Sequence, residues 1–375
     1  MKIAVNTRLL LPGKLEGIGR FAHEILQRMC RNHPEDEFVF FFDRAYDERF
    51  IYGDNVTPVV IPPMARHPIL FYYWFEFKIK RALNTYKPDV FLSPDGYLPL
   101  HTNVPMVPVI HDINFEHRPQ DLPFSSRFYY RTFFRKFAHH ATQIVTVSHY
   151  SKADISKTYG VNAEKIHVVY NGVSDRFSPI PDNEQANFKE EFSQGKDYFL
   201  FVGSLHPRKN IDRLIKAFDQ FKQSTNSDKR LVLVGEKMWW TKELKAAYEN
   251  SPYKADILLK GRVSDEQLPQ VYATAFALVN VSLFEGFGIP LIEAMKSGTA
   301  VITSTVTSLP EVAGEAALIV NPEDIDAIST AMKTLDADDT LRNELVEKGK
   351  KQADKFDWDT AAEDLYQVLV ASQKS

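Results

Sequence analysis

Short apolar runs alternate with longer amphipathic stretches along almost the whole chain, a pattern that predicts α/β structure with parallel sheets. Within residues 1–175 the runs KIAVNT (2–7), FVFFF (38–42), DVFLS (89–93), MVPVIHD (106–112), QIVTVS (143–148) and HVVY (167–170) read as strands. Strands buried on both faces carry continuous apolar runs of this kind. Phe21, Ile25 and Met29 share one stripe of a helix from about Ile18 to Cys30. Ser148 suits the N-cap of a helix over SKADISKTYG (151–160), which Gly160 would end. The stretch 173–196 carries Pro179, Pro181 and many polar residues, and reads as an interdomain linker with a short helix.

The alternation then restarts. YFLFVG (198–203), RLVLVG (230–235), ILLKG (257–261), FALVNVS (276–282), AVITS (300–304) and AALIV (316–320) are the strands expected there. Ile211, Leu214, Ile215 and Phe218 form another helical stripe, and Ser264 with Gln267 resembles a capping box. FDWDTAAEDLYQVLVAS (356–372) is a last amphipathic helix. The predicted fold is α/β: two Rossmann-like parallel-sheet domains facing a cleft. Their bounds are residues 1–175 and 176–355, and residues 356–375 form a C-terminal helix packing back on the first domain.

Composition narrows the class. At 375 residues, with 44% hydrophobic and 25% charged residues, the chain can bury two cores, which excludes a disordered or low-complexity protein. A single cysteine, Cys30, can form neither an internal disulfide nor a thiolate metal site, as expected in a reducing compartment. Asn6, Thr7 and Arg8 interrupt the first apolar run, so no secretory signal is read there. No run approaches the roughly 18–20 apolar residues of a membrane span. A cytoplasmic location is therefore expected. Residues 1–175 carry 21 Lys+Arg against 18 Asp+Glu, and the remainder 24 against 31; ten of the eleven histidines lie in the first part. Neither part is basic enough for nucleic acid to be a partner.

The candidate chemistry concentrates in LFEGFGIPLIEAMKSG (283–298), which follows an expected strand and opens a helix. Open α/β sheets bind ligands at that edge. Gly286 and Gly288 allow close backbone approach, and Pro290 fits the first helical turn, whose amides and dipole favour a phosphate. Glu285 and Glu293 flank that position, and carboxylates accept hydrogen bonds from sugar hydroxyls. On their own they read equally well as solvated helix-start carboxylates. GSLHPRKN (203–210) ends another strand and sets Arg208 and Lys209 beside a helix start, an arrangement that fits a diphosphate.

These segments, with the later TSLPEVAGEAALIVNP (307–322), resemble the retaining GT-B glycosyltransferases of family 4, also called group 1. EGIGRFAHEI (16–25), VIHDINFEHRP (109–119), VTVSHYSKADI (145–155) and VVYNGVSDRF (168–177) extend the resemblance over nearly the whole chain. It implies transfer of a hexose, with mannose favoured, from a nucleotide-diphosphate sugar to a glycan or lipid-linked acceptor, with retention of configuration. It further implies that Glu293 binds the donor ribose and Glu285 the transferred sugar. Backbone of Gly286, Phe287, Gly288 and Ile289 would hold sugar and diphosphate, with Arg208 and Lys209 neutralising the phosphates. Backbone near Val263 would meet the base, Gly17 and Gly19 would approach the diphosphate from the other domain, and His111 would reach the sugar near the reacting carbon. Many members carry arginine where Ser204 stands, so Arg208 would supply that charge. No cofactor or metal is expected, because Asp324-Ile325-Asp326 and Asp336-Ala337-Asp338 fall in the terminal helical region.

Other readings compete at particular residues. His111 taken alone is a half-buried histidine bonded to a backbone carbonyl. Gly17-Ile18-Gly19-Arg20-Phe21-Ala22 matches a dinucleotide-binding fingerprint, but about ten residues separate it from the first strand, where that turn is tight. A nucleotide-sugar epimerase of the same architecture would need no acceptor, and a non-catalytic sugar-nucleotide-binding subunit would bind donor without transfer. FYYWFEFKIKR (71–81) and FSSRFYYRTFFRKFAHH (124–140) combine rings with cations; they read as core plus acceptor groove, with peripheral membrane contact as the other option.

Overall fold

The computed structural model describes residues 1–373 except Lys14, Glu16 and 237–239. Glu16 of the EGIGRFAHEI segment and the last two residues of the 356–375 segment therefore lie outside the described residues. The chain forms two compact units, one of Met1–Gly172 with Asp357–Ser375 and the other of Val173–Phe356.

The first unit holds a parallel sheet of β1 (Lys2–Asn6), β2 (Glu37–Phe42), β3 (Val56–Val60), β4 (Val90–Ser93) and β5 (Met106–Pro108), in the order β3-β2-β1-β4-β5. A parallel pair of β6 (Ile144–Thr146) and β7 (Ile166–Val168) adjoins it through a bridge between Val109 and Val145. β3 is absent from the sequence reading because Pro58 interrupts its pattern. It lies at the sheet edge, where a missing N–H is tolerated. The strand expected over 106–112 stops at Pro108. Past it the chain turns to a new neighbour, with the Ile110 amide donating to the Val145 carbonyl at 2.8 Å.

The helix Ile18–Asn32 buries Phe21, Ile25 and Met29 on the expected stripe, together with Ala22 and Leu26. The Ser148 hydroxyl accepts from the Ser151 amide at 3.0 Å and so caps the helix His149–Tyr159, which Gly160 ends at φ +69°. The C-terminal helix Trp358–Gln373 packs along Ile18–Asn32, fixed by an Arg28–Asp359 ion pair at 2.8 Å and by the Tyr366 hydroxyl donating to Asp36 at 2.7 Å. Gly172 lies against this helix start so closely that a Cβ there would come within 2.5 Å of the Trp358 nitrogen.

The second unit is one parallel sheet of β8 (Tyr198–Val202), β9 (Arg230–Val234), β10 (Ile257–Gly261), β11 (Ala277–Asn280), β12 (Ala300–Ser304) and β13 (Leu318–Val320), in the order β10-β9-β8-β11-β12-β13. Half of the 173–196 stretch is helix, Asp182–Ser193, which buries Phe192. Ile211, Leu214, Ile215 and Phe218 are buried on the helix Ile211–Thr225. Ser264 accepts from the Gln267 amide at 3.2 Å just ahead of the helix Leu268–Ala273. Asp324 and Asp338 cap the helices Ile325–Ala337 and Asp339–Ala353, and Asp336 pairs with Lys229 at 2.6 Å, so structural partners hold these aspartates.

Candidate functional site

The order of the second sheet reverses between β8 and β11, and the loops leaving those two strands carry most of the candidate residues. Ligand sites in open α/β sheets form at such a switch point, outside the carboxyl ends of the strands. After β8 the chain passes exposed Ser204 and makes one 3₁₀ turn, Pro207–Lys209. The buried Asn210 side chain then donates to the carbonyls of Val281 and Pro322 at 3.0 and 2.7 Å. This ties the loop after β8 to the loop after β11, as does the Leu283 amide donating to the Arg208 carbonyl at 2.7 Å.

Glu285 stands at the centre of the tied loops. Lys209 donates to one carboxylate oxygen, which also accepts from the Ser282 hydroxyl at 2.8 Å. Arg208 donates to the other at 2.5 Å and to the Phe284 carbonyl at 2.9 Å. Lys209 and Glu285 are buried, and Arg208 is 22% exposed. Burial alone would raise the Glu285 pKa; the charges and hydrogen bonds of Arg208 and Lys209 outweigh it and bring the group down to about 2. The carboxylate is thus ionised and weakly basic, a counterion for two cations. Two cations from the loop after β8 thus share the Glu285 carboxylate at the mouth of a parallel sheet.

The next residues turn into the helix Ile289–Lys296, with Pro290 in its first turn. Gly288 precedes it at φ +112°, and a Cβ there would lie 2.7 Å from a Leu309 methyl, so both backbone and packing require glycine. The Ser308 hydroxyl lies 3.0 and 2.9 Å from the Glu285 and Phe287 carbonyls, anchoring the turn from behind. One turn into the helix, the buried Glu293 carboxylate accepts from the Tyr272 hydroxyl at 2.8 Å. Val263 follows the end of β10 at the sheet edge, two strands from β8.

Ser204, Arg208, Lys209 and the 285–293 segment are therefore gathered at one switch point. His111, Gly17 and Gly19 belong to the other unit. His111 Nε2 is 2.9 Å from the Pro94 carbonyl, and the Phe21 ring lies edge-on at 4.9 Å. A carbonyl only accepts, so Nε2 carries the proton and Nδ1 is the basic nitrogen of the neutral ring. Burial lowers the His111 pKa against the opposing pull of the Pro94 bond, Asp112 and Asp95. Gly17, at φ +41°, precedes the helix Ile18–Asn32. Gly19 lies in its first turn, where a Cβ would come within 2.8 Å of the Leu9 carbonyl. Eleven residues separate the end of β1 from the helix that Gly17 precedes, so the tight dinucleotide turn is not formed.

Sequence reasoning missed Ser282, Asn210, Tyr272 and Ser308. It also missed a buried cluster at the first sheet's own switch point, between β1 and β4. There Arg8 pairs with Asp95 at 2.6 Å, and its guanidinium lies 4.8 and 4.5 Å from the ring centres of Phe71 and Tyr97. Asn6 donates to Asp95 at 2.7 Å, and the Ala65 carbonyl accepts from Arg8 at 3.2 Å.

Residues 182–352 match the family model for glycosyl transferases group 1, and residues 15–177 match that for glycosyltransferase family 4. The chain is 30% identical to O-antigen chain mannosyltransferase B of Escherichia coli, over 92% of this chain and 93% of that protein. It is also 30% identical to O-antigen chain mannosyltransferase RfbU of Salmonella typhimurium, over 78% of each. Among solved structures, sucrose-phosphate synthase of Thermosynechococcus elongatus superposes with a TM-score of 0.79 at 17% identity, covering 99% of both chains. Anabaena HepE in complex with UDP-glucose gives 0.77 at 17% identity, over 99% of this chain and all of that one. These structural likenesses concern the GT-B fold.

Proposed function

The chain belongs to the group 1, family 4 glycosyltransferases, and on that premise we propose that it transfers mannose from GDP-mannose to a glycan or lipid-linked acceptor with retention of configuration. The sugar rests on the two O-antigen mannosyltransferases to which the chain is similar. The observation that carries the reaction class is the partly buried Arg208–Glu285–Lys209 cluster beside the Gly288 helix start. A donor diphosphate gains negative charge as its glycosidic bond breaks, and preorganised cations stabilise that charge most in the transition state.

The residue roles are those that the family resemblance implies, and the contacts described above are compatible with them. Lys209 and Arg208 face the diphosphate, with Glu285 holding both in place between turnovers. The first amides of the helix Ile289–Lys296 add the helix dipole's partial positive charge. Glu293, oriented by Tyr272, accepts from the donor ribose. His111 presents Nδ1 to the transferred sugar. Glu285, engaged on both oxygens and weakly basic, is poorly suited to act as a nucleophile; the family resemblance implies instead that the leaving phosphate takes the acceptor's proton.

Thermal shift with GDP, UDP and ADP sugars tests the donor. Binding at a hundred times the dissociation constant adds about 2.7 kcal/mol, so GDP-mannose should raise the transition and the others should not. Proton NMR of the glycosylated product then reads the anomeric configuration. Stabilisation by another base overturns the GDP assignment, and stabilisation without transfer overturns catalysis. The reading also requires no divalent metal, so turnover should persist in EDTA. A rate that collapses and returns only with Mg²⁺ or Mn²⁺ would remove the electrostatic scheme.

A further inference from the structure

The two ring-rich segments of the first unit divide their side chains between the interior and the surface. Phe71, Trp74, Phe75 and Ile79 enter the core, as do Tyr129, Phe134 and Phe137. Between the helices Pro68–Tyr73 and Lys80–Tyr86 the chain makes a π-helical turn, Trp74–Ile79. In an unbroken α-helix Phe77 would share a face with Trp74, three positions earlier. The wider turn shifts that register, and Phe77 is 57% exposed while Trp74 is fully buried.

Phe77 has company. Of the nine large apolar side chains exposed among the described residues, eight lie between Val60 and Phe128 of the first unit, and Ile319 is the other. Phe124 and Phe128, 74% and 64% exposed, are one turn apart on the helix Phe124–His140. Tyr72 joins the two segments: its ring lies 6.3 Å from that of Phe77 and 5.7 Å from that of Phe133. Apolar groups this concentrated mark an interaction surface.

Cations predominate in the two segments themselves, although Arg131 pairs with Glu116 at 2.9 Å. Residues 64–87 contain Arg66, Lys78, Lys80, Arg81 and Lys87 against a single acid, and residues 124–140 contain four cations and no acid. The single acid, Glu76, is buried and engaged by the Leu100 amide and His101. Lys78, Arg127 and Lys136 stand over the rings of Tyr73, Phe124 and Phe133 at 5.8, 5.3 and 5.3 Å. A groove of about 490 Å³ opens between Tyr72, Phe77, Lys80, Arg81, Asn84 and His101, with Glu76 beneath. Rings backed by cations, on a chain in which no described helix is long and apolar enough to cross a membrane, match an element that lies in a bilayer interface.

We infer that this face docks onto an anionic bilayer surface, with the exposed rings at the headgroup–acyl boundary and a lipid phosphate in the Lys80–Arg81 groove. Aromatic side chains supply the buried apolar area, and Lys and Arg supply attraction that falls with ionic strength. The inference stands on this surface alone and does not depend on the donor reading.

Co-sedimentation of the full chain tests it, using vesicles of phosphatidylglycerol with phosphatidylcholine against phosphatidylcholine alone. The wild-type chain should pellet with the anionic vesicles and release at high salt. Lys80→Glu/Arg81→Glu should lower partitioning by more than about tenfold. Phe77→Ser/Phe124→Ser/Phe128→Ser should do the same, with an unchanged melting transition, since these side chains contribute to no core. Phe128→Trp provides a direct readout: its added emission should shift to the blue on anionic vesicles. Absence of wild-type binding, equal binding by all variants, or an unshifted Trp emission would each overturn the assignment. So would concentration-dependent self-association through this face without vesicle binding.

Discussion

Both sheets reverse strand order once, and at each reversal a cation from one loop meets a carboxylate from the other. The outcomes differ. Between β1 and β4, Arg8 and Asp95 neutralise each other, the guanidinium is closed in by Phe71 and Tyr97, and the surrounding polar groups of Asn6 and Ala65 complete the hydrogen bonding. Between β8 and β11, two cations share the single carboxylate of Glu285, and Arg208 reaches solvent. A buried, capped pair is a wall; a partly exposed cluster is, on the function proposed above, a seat for an anion. The same topology offers both, and the two differ in how far the cation reaches solvent.

The contrast breaks most sharply on charge removal. Lys209→Ala should slow single-turnover transfer by about 10²–10³, the cost typical of losing one preorganised donor, and Arg208→Ala/Lys209→Ala should be close to inactive. Ser204→Ala removes at most a neutral hydrogen bond, worth about 0.5–1.5 kcal/mol. Near-normal rates in the double variant would make the second cluster another wall. Arg8→Ala should act on the fold: leaving Asp95 buried and unpaired costs about 3–5 kcal/mol in unfolding free energy. Calorimetry of the variant should show that loss, with donor affinity of the folded protein unchanged. A weakened donor constant at full stability would make the first cluster a seat as well.

Acid provides a gentler lever. Glu285 ionises at about 2 in the folded chain against an ordinary 4.5, so its contribution is present above pH 4.5 and is lost as pH falls from there toward 2. The shift corresponds to about 3 kcal/mol. The stability gap between the wild-type chain and Glu285→Gln should narrow over that window, and a gap independent of pH would mean that the ion pairs contribute little. Glu293→Ala is expected to weaken donor binding by roughly 1.5–3 kcal/mol, with Tyr272→Phe below it because it removes only the orienting hydrogen bond. Titration calorimetry measures both, and an unchanged constant in Glu293→Ala would remove the ribose contact.

The asymmetry between the two clusters was only half legible in the chain. Glu285, Glu293, Arg208 and Lys209 announce themselves because a glycine-rich turn and a basic helix start each follow an apolar run. Their pairing does not, since Lys209 and Glu285 are 76 positions apart and only the adjacency of β8 and β11 joins them. Arg8 read as no more than a polar interruption after the first strand. Its sandwich between Phe71 and Tyr97 depends on contacts 63 and 89 residues away, which no local pattern reports. Tyr272 gave no signal, because a buried tyrosine on a short helix reads as core. Most expected strands have ends within a residue or two, whereas the one over 106–112 stops four residues early at Pro108 and β3 is hidden by a proline that an edge position permits.

The chain leaves the first unit after Gly172 and re-enters it at Asp357, and the two passages run side by side: the Val173 amide donates to the Phe356 carbonyl at 3.0 Å. The second unit is thus an insertion whose two leads meet at one spot. Order of synthesis follows from that geometry. On the ribosome, the first unit has all its strands early but lacks the helix that packs on Ile18–Asn32 until 184 intervening residues, Val173–Phe356, have emerged. The inserted unit, contiguous in sequence, can close before its host does. A released chain that ends just before Asp357 would therefore hold every residue of the second unit, while its first unit would lack the helix that packs on Ile18–Asn32.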